Sequence, residues 1–233
     1  MAHSPRRITR KDIRRPDWFV TQVRQFSSFF SGHKKESILG ATALVVVLLA
    51  LWGWGLYRDR QDRLAAMEYS RAIDLYHDGK YREALEALTH LAIYRSSYYG
   101  RVGLLYQAHS YMALGEMPQA VAAFQDLLAK EKKEPLLRQA AYMSLGYAQE
   151  KMEKCQEATR SYAEAEKIEG PAKADATMGK ARCSAQTGNF AEALNSYRKF
   201  LTDNPVSDRI GQVSLLIQEL EGKVGEGSAG AAK

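Results

Sequence analysis

The sequence is poor in cysteine and proline. Of its 233 residues, 2 are Cys and 6 are Pro. Two thiols cannot form the cystine network of a small secreted domain or a four-thiolate zinc site, so both classes are excluded. Because 45% of the residues are hydrophobic, the chain has enough apolar side chains to form a packed core, and a wholly disordered chain is excluded too.

The sequence also lacks the short motifs of common enzyme and nucleotide sites. It contains no HExxH, GxSxG, Walker A or GxGxxG pattern. The five histidines are scattered without metal-ligand spacing, and the carboxylates fall on the outward faces of predicted helices. We therefore predict a protein that is not an enzyme and that has no catalytic residue, no metal and no cofactor.

Excess positive charge is confined to an N-terminal arm, residues 1–37. The arm has nine Lys or Arg and three Asp or Glu, a net charge of +6 that equals the formal charge of the whole chain. The remainder is neutral, so it has no basic groove and we do not expect nucleic acid as a partner. Within the arm, Phe19, Val23, Phe26 and Phe30 recur at helical spacing. They predict an amphipathic helix on the lipid surface, and a disordered arm is the alternative.

An uncharged run of twenty residues extends from Ile38 to Tyr57. As a helix it is ~30 Å long, the thickness of the hydrocarbon core of a bilayer. A buried helix of a soluble protein would normally keep a polar stripe, and a cleaved signal peptide would follow a shorter arm and end in small residues instead of Trp52 and Trp54. We therefore predict a transmembrane helix over 38–57.

The charges on either side of this run predict its orientation. The basic arm precedes it, whereas Arg58, Arg60 and Arg63 alternate with Asp59 and Asp62 after it. Basic segments stay in the cytoplasm, so the arm is predicted to be cytoplasmic and the rest of the chain to lie across the membrane, which in a bacterium is the periplasm.

The part of the chain after the run is an internal repeat built on alanines. Ala84, Ala120, Ala158 and Ala193 each follow a turn, which contains Gly in three repeats and Glu153 in the third. Small residues lie twelve positions earlier and large ones four positions later: Ala72, Ala108, Gly146 and Ala181, then Leu88, Phe124, Tyr162 and Tyr197. This pattern, closed by Pro205, resembles the tetratricopeptide repeat.

The resemblance implies an all-α fold: one transmembrane helix followed by a tetratricopeptide-repeat α-solenoid of about four helix pairs. A capping helix is predicted over 207–221, because apolar residues there share one face. The predicted domains are thus the arm 1–37, the span 38–57, the solenoid 58–221 and a disordered tail 222–233.

Cys155 and Cys183 occupy places that repeat stacking brings close together. An oxidising compartment would permit a disulfide between them, and two separate thiols are the equal alternative. The concave face of the solenoid is predicted to be a protein-binding groove, although any one of its side chains could belong to the stacking core instead. Its residues are Tyr69, Ile73, Tyr76, Leu105, His109, Met112, Met143, Tyr147, Met178 and Arg182.

Three stretches resemble the YfgM-like ancillary subunits of the Sec translocon. They are Phe29 to Tyr57, Glu68 to Ala72 and Ser96 to Phe124. The arm from Ile8 to Phe19 also resembles the N-terminal start of many members of this family. The resemblance implies a bacterial inner-membrane protein that binds SecYEG and a membrane-bound periplasmic chaperone and passes unfolded secreted chains onward. The alternative is a structural scaffold of another envelope complex, which would bind folded partners by its convex face.

Overall fold

The computed structural model describes residues 34–94 and 97–230, and within these ranges every regular element is a helix. The predicted amphipathic helix of the arm lies outside them. The α-helices are α1 Lys34–His77, α2 Tyr81–His90, α3 Tyr98–Ala113, α4 Met117–Lys130, α5 Pro135–Lys151, α6 Cys155–Glu166, α7 Lys173–Gln186, α8 Phe190–Asp203 and α9 Ile210–Gly230. A short 3-10 helix, Leu91–Tyr94, follows α2.

The chain divides into two units, residues 1–58 and 59–233. In the first unit, α1 contains the uncharged run. A window of this helix has a mean hydropathy of 2.1, and none of it is buried. By length and composition, this helix is able to cross a membrane.

The second unit consists of stacked helix pairs. Residues 59–77 pair with α2, α3 with α4, α5 with α6 and α7 with α8, and α9 covers the last pair. First helices of successive repeats also touch, since α3 contacts α5 and α5 contacts α7. The alanines that define the repeat are completely buried where the helices cross, as a close approach of backbones requires. The prediction of an all-α tetratricopeptide-type solenoid is confirmed.

The turn inside each repeat needs a residue with a left-handed backbone. Gly79, Gly115 and Gly188 have φ of 76°, 77° and 78°, and Glu153 has φ of 61°. Glycine adopts this conformation freely, whereas a side chain there costs about 1–2 kcal/mol. Glu153 therefore adopts a conformation that favours glycine, in the repeat where the sequence lacks the turn glycine.

Replacing Glu153 by Gly should stabilise the repeat domain. We expect Glu153→Gly to raise the free energy of unfolding by about 0.5–1 kcal/mol, because the relief of strain exceeds the added entropy of the unfolded chain. Urea denaturation measures the change. The matched control is Lys154→Gly. Lys154 has an ordinary negative φ of −93°, so glycine relieves no strain there and this variant should lose stability. Equal shifts in both variants would contradict the assignment of strain to Glu153.

The capping helix is present and longer than predicted. Val213 and Leu220 of α9 are buried against α8, with Leu216 and Ile217 packed beside them. The helix continues to Gly230, so residues 222–230 are helical, which differs from the prediction of a disordered tail over 222–233. No proline interrupts this stretch, and adding residues to an existing helix is easier than nucleating one.

Candidate protein-binding groove

Two of the predicted groove residues belong to the core. Leu105 and Met178 are each only 8% exposed. Leu105 packs with Phe124 and other side chains of the second repeat, and Met178 packs with Tyr197 and Phe200 in the fourth. These two side chains therefore stabilise the stacking of helices and are unavailable to a partner, which corrects their assignment to the groove surface.

The first repeats contribute a tyrosine cluster: Tyr69, Tyr76, Tyr99 and Tyr106. The ring of Tyr106 lies 5.9 Å from that of Tyr69 and 5.3 Å from that of Tyr76, and Tyr99 lies 5.5 Å from Tyr69. These are edge-on and tilted contacts that aromatic rings favour. Burial raises the pKa of Tyr69 and of Tyr76, so both hydroxyls stay protonated. Ile73 is half-buried on the same helix. Sequence reasoning missed Tyr99 and Tyr106, although tyrosines are frequent in this stretch.

His109 links the second repeat to the third. Its Nε2 lies 2.8 Å from the hydroxyl of Ser144 on α5, and its ring contacts Tyr106 and Phe124, with centroid distances of 5.9 and 5.4 Å. Burial lowers the pKa of His109 from 6.5 to about 4. The imidazole is therefore neutral at physiological pH and acts as a packed, hydrogen-bonded contact between repeats.

The stability of the domain should depend on pH through His109. Between pH 7.5 and 5.5 the unfolded state binds a proton at this side chain and the folded state does not, so stability falls as pH falls. We expect the parent to lose about 1 kcal/mol more than His109→Gln over this window, measured by urea denaturation. The exposed His90 is the control, since His90→Gln should keep the pH dependence of the parent. Retention of that dependence in His109→Gln would disprove the role of His109.

Accessible side chains continue along the first helices of the second and third repeats. Met112 is half-buried against the core of the second repeat, and Met143 is half-buried against the cluster around Tyr162. Tyr147 is 39% exposed, and the Lys151 ammonium lies 5.3 Å from its ring centroid. Methionine and tyrosine adapt to varied apolar partners, so these residues are suited to binding side chains of another protein.

Arg182 is held by a carboxylate that sequence reasoning missed. Its guanidinium donates two hydrogen bonds of 2.5 and 2.7 Å to Glu150, and the Tyr162 hydroxyl donates a third over 2.7 Å. Burial raises the pKa of Glu150, but these hydrogen bonds outweigh it and the net effect is a lowered pKa. The carboxylate stays ionised and neutralises Arg182, so this arginine does not make the groove basic.

A pocket of about 250 Å³ lies between the last repeat and the capping helix. Phe190, Leu216 and Leu220 provide apolar walls, and Arg182, Glu219 and Lys223 provide charged groups at the same pocket. Helix α9 supplies much of the lining, and the sequence prediction missed it because the predicted groove residues lie on the first helix of each repeat. Its volume is sufficient for one large apolar side chain of a partner.

The two cysteines are joined in a disulfide between α6 and α7. The Cα atoms of Cys155 and Cys183 lie 4.9 Å apart, within the range of ordinary disulfides, and both residues are buried. The bond connects the third repeat to the fourth. In the part of the chain that the structure describes, no group of three or more His, Cys, Asp or Glu is placed to hold a metal ion.

The family of the chain follows from its sequence as well as its fold. Residues 28–219 match the family model described as a tetratricopeptide repeat-like domain. The match covers most of the chain and includes both the uncharged run and the repeats, and the chain belongs to this family. No curated protein sequence matches the chain.

Solved structures with a similar fold come from several proteins. A tetratricopeptide repeat protein from Parabacteroides merdae is 15% identical with a TM-score of 0.58, over 68% of this chain and 60% of that one. MamA is 19% identical with a TM-score of 0.57, over 68% and 82%. PilW, a type IV pilus biogenesis factor, is 16% identical with a TM-score of 0.53, over 67% and 71%. At these identities the likeness shows the fold alone.

Proposed function

We propose that the chain is a membrane-anchored subunit that binds other proteins through its repeat domain. The observation that carries the proposal is the unburied apolar helix in a chain whose remaining helices form a tetratricopeptide-type solenoid. An apolar run with no protein side chains covering it is stable in lipid and costly in water. Solenoids of this type present an extended concave surface for binding proteins, and their fold is typical of interaction scaffolds, not of enzymes.

Two features support a periplasmic location for the repeat domain of a bacterial inner-membrane protein. The basic arm precedes the apolar run, and basic segments remain in the cytoplasm. The disulfide between Cys155 and Cys183 persists in an oxidising compartment and is rare in the cytosol. Together they favour a cytoplasmic arm and a periplasmic repeat domain.

The orientation can be tested with a reporter enzyme. We expect a reporter that works only in the periplasm to be active when it is fused after Lys233 of the full chain. Fusion of the same reporter before Met1 is the control and should be inactive. The reverse result would place the repeat domain in the cytoplasm and contradict the proposal.

The finer proposal is an ancillary role at the Sec translocon. It rests on the resemblance of residues 29–57 and 96–124 to YfgM-like subunits, with SecYEG and a membrane-bound periplasmic chaperone as the proposed partners. The accessible groove side chains, Met112, Met143 and Tyr147, are apolar or aromatic, and the pocket beside α9 has apolar walls. Unfolded secreted chains expose the apolar segments that such a surface binds.

Photocrosslinking in intact cells tests this function. A benzoylphenylalanine at Tyr147, in the groove, is compared with one at the exposed Gln125 on α4. We expect Tyr147 to yield adducts with many secreted chains and with a SecYEG subunit, and Gln125 to yield few. One stoichiometric folded partner would favour a scaffold of another envelope complex. Equal yields at both positions would show that the groove is not the binding site.

A further inference from the structure

The repeat domain has two different edges. The loop edge consists of the described residues of the connections between repeats, and the turn edge consists of the turns within repeats. These connection residues are 91–94, 97–98, 131–136, 167–172 and 204–209. Contacts show that the connections are neighbours: Arg101 lies 3.5 Å from Glu134, and Gln139 donates a 2.5 Å hydrogen bond to the Ile168 carbonyl. Arg209 pairs with Asp175 farther along. The connections therefore lie in one row.

Exposed apolar side chains distinguish the loop edge. Ile93 is 77% exposed, Tyr98 is 55% exposed and Leu136 is 58% exposed, and Val206 is exposed in the last connection. The turn edge carries Gly79, Gly115 and Gly188, and its large apolar side chains are half-buried: Leu114, Met152 and Phe190. Large apolar side chains in loops gain nothing from contact with water, so their concentration on one edge indicates a surface that is covered by something else.

The second connection combines its exposed apolar residue with two lysines. Lys132 and Lys133 are exposed and lie just before Leu136 in the chain. The buried Glu131 carboxylate holds their loop in place, because it pairs with Arg101 at 2.7 Å and accepts backbone N–H hydrogen bonds from Lys133 and Glu134. Ordered apolar and aromatic side chains beside lysines are typical of surfaces that bind the headgroup region of a membrane.

The repeat domain begins at the loop edge. Ala65 and Tyr69, early in its first helix, pack against Leu91 and Tyr99 near the first connection. The turn edge is reached only later, at Asp78 and Gly79. In the sequence, the short stretch 58–64 is all that separates Ala65 from the end of the uncharged run at Tyr57. The end of the run is therefore joined to Ala65 by seven residues, which span at most about 25 Å even when fully extended.

We propose that the first part of the loop edge, with Ile93, Tyr98, Leu136, Lys132 and Lys133, is a binding surface for the lipid headgroups of the membrane. The apolar side chains enter the boundary between headgroups and acyl chains, and the lysines bind anionic lipid phosphates. The proposal rests on the proposed membrane anchor. Lipid is the chosen occupant because the chain itself connects this edge to the apolar run.

Photocrosslinking to lipid tests the surface directly. The full chain is reconstituted in vesicles of phosphatidylethanolamine and phosphatidylglycerol, with benzoylphenylalanine at Ile93, Leu136, Lys154 or Leu48. Lys154 is the exposed control on the turn edge, and Leu48 is the control inside the apolar run. We expect about tenfold more lipid adduct at 93 and 136 than at 154, measured by mass spectrometry after circular dichroism has confirmed helicity.

The outcomes distinguish a failure of the proposed lipid-binding surface from a failure of the proposed membrane anchor. One outcome is that position 48 yields lipid adducts while positions 93 and 136 yield no more than position 154. That result would overturn the proposed lipid-binding surface and leave the proposed anchor intact. No lipid adduct at 48 would contradict the anchor in the proposed function. Adducts of positions 93 and 136 with a second copy of the chain would overturn the lipid proposal in favour of an interface between copies.

The lysines provide a second, independent readout. We expect Lys133→Gln to lower the lipid adduct at position 136 about fivefold, the loss for one charge beside an anionic surface, and Lys154→Gln to leave it unchanged. In vesicles of phosphatidylcholine alone, which have no net charge, Lys133→Gln should have no effect. An equal adduct yield for the parent and Lys133→Gln in anionic vesicles would overturn headgroup binding by this lysine.

Discussion

Gly179→Ala is expected to lower the free energy of unfolding of the repeat domain by about 3 kcal/mol. A Cβ atom at position 179 would lie 2.5 Å from the ring of Tyr162, and one at Gly146 would lie 2.7 Å from the same ring. Tyr162 is completely buried between these two glycines. Because its ring is enclosed on two faces by helix backbones, it cannot move away, and the added methyl group must displace α7. Urea denaturation measures the loss.

A matched glycine and a double variant test whether the clash with Tyr162 causes the loss of stability. Gly211 is in α9 with no atom near its missing Cβ, so Gly211→Ala should be neutral or stabilising by up to about 1 kcal/mol. Combining Gly179→Ala with Tyr162→Leu should cost less than the sum of the single changes, because the smaller side chain relieves the clash. Strict additivity, or equal effects of Gly179→Ala and Gly211→Ala, would contradict this account.

Removing the disulfide should have an effect of similar size. Cys155 and Cys183 are 28 positions apart, and opening a loop of that length increases the entropy of the unfolded chain by an amount worth about 3 kcal/mol. We expect the double variant Cys155→Ala/Cys183→Ala to lose this stability while keeping its helical content, because Ala158 and Tyr162, which are buried in the same cluster as the bond, still pack.

Reduction of the parent provides the control for the cysteine variant. A reducing agent should lower the stability of the parent to nearly that of the double variant and leave the variant unchanged. If the agent has no effect on the parent, the two thiols are not bonded in solution. That result would also remove the support that the disulfide gives to an oxidising compartment for the repeat domain.

The position of each repeat could be read from the sequence because its requirements are local. A left-handed turn favours glycine, and a close helix crossing needs a small residue, so Gly115 and Ala120 identify their places without knowledge of any neighbour. Even the exception was visible, since Glu153 is where the turn glycine is missing. The capping helix followed from the helical spacing of Val213 and Leu220 in the same way.

The identity of the accessible groove residues depended on contacts between repeats. Leu105 and Tyr147 share the spacing expected for the concave face, yet Leu105 is buried and Tyr147 is exposed. The pairing of Arg182 with Glu150, 32 positions away, and the pocket formed by α9 likewise required the stacked helices. Helical periodicity determines which side of a helix faces its neighbours, whereas the depth of burial depends on the size of the side chains that the neighbours place opposite.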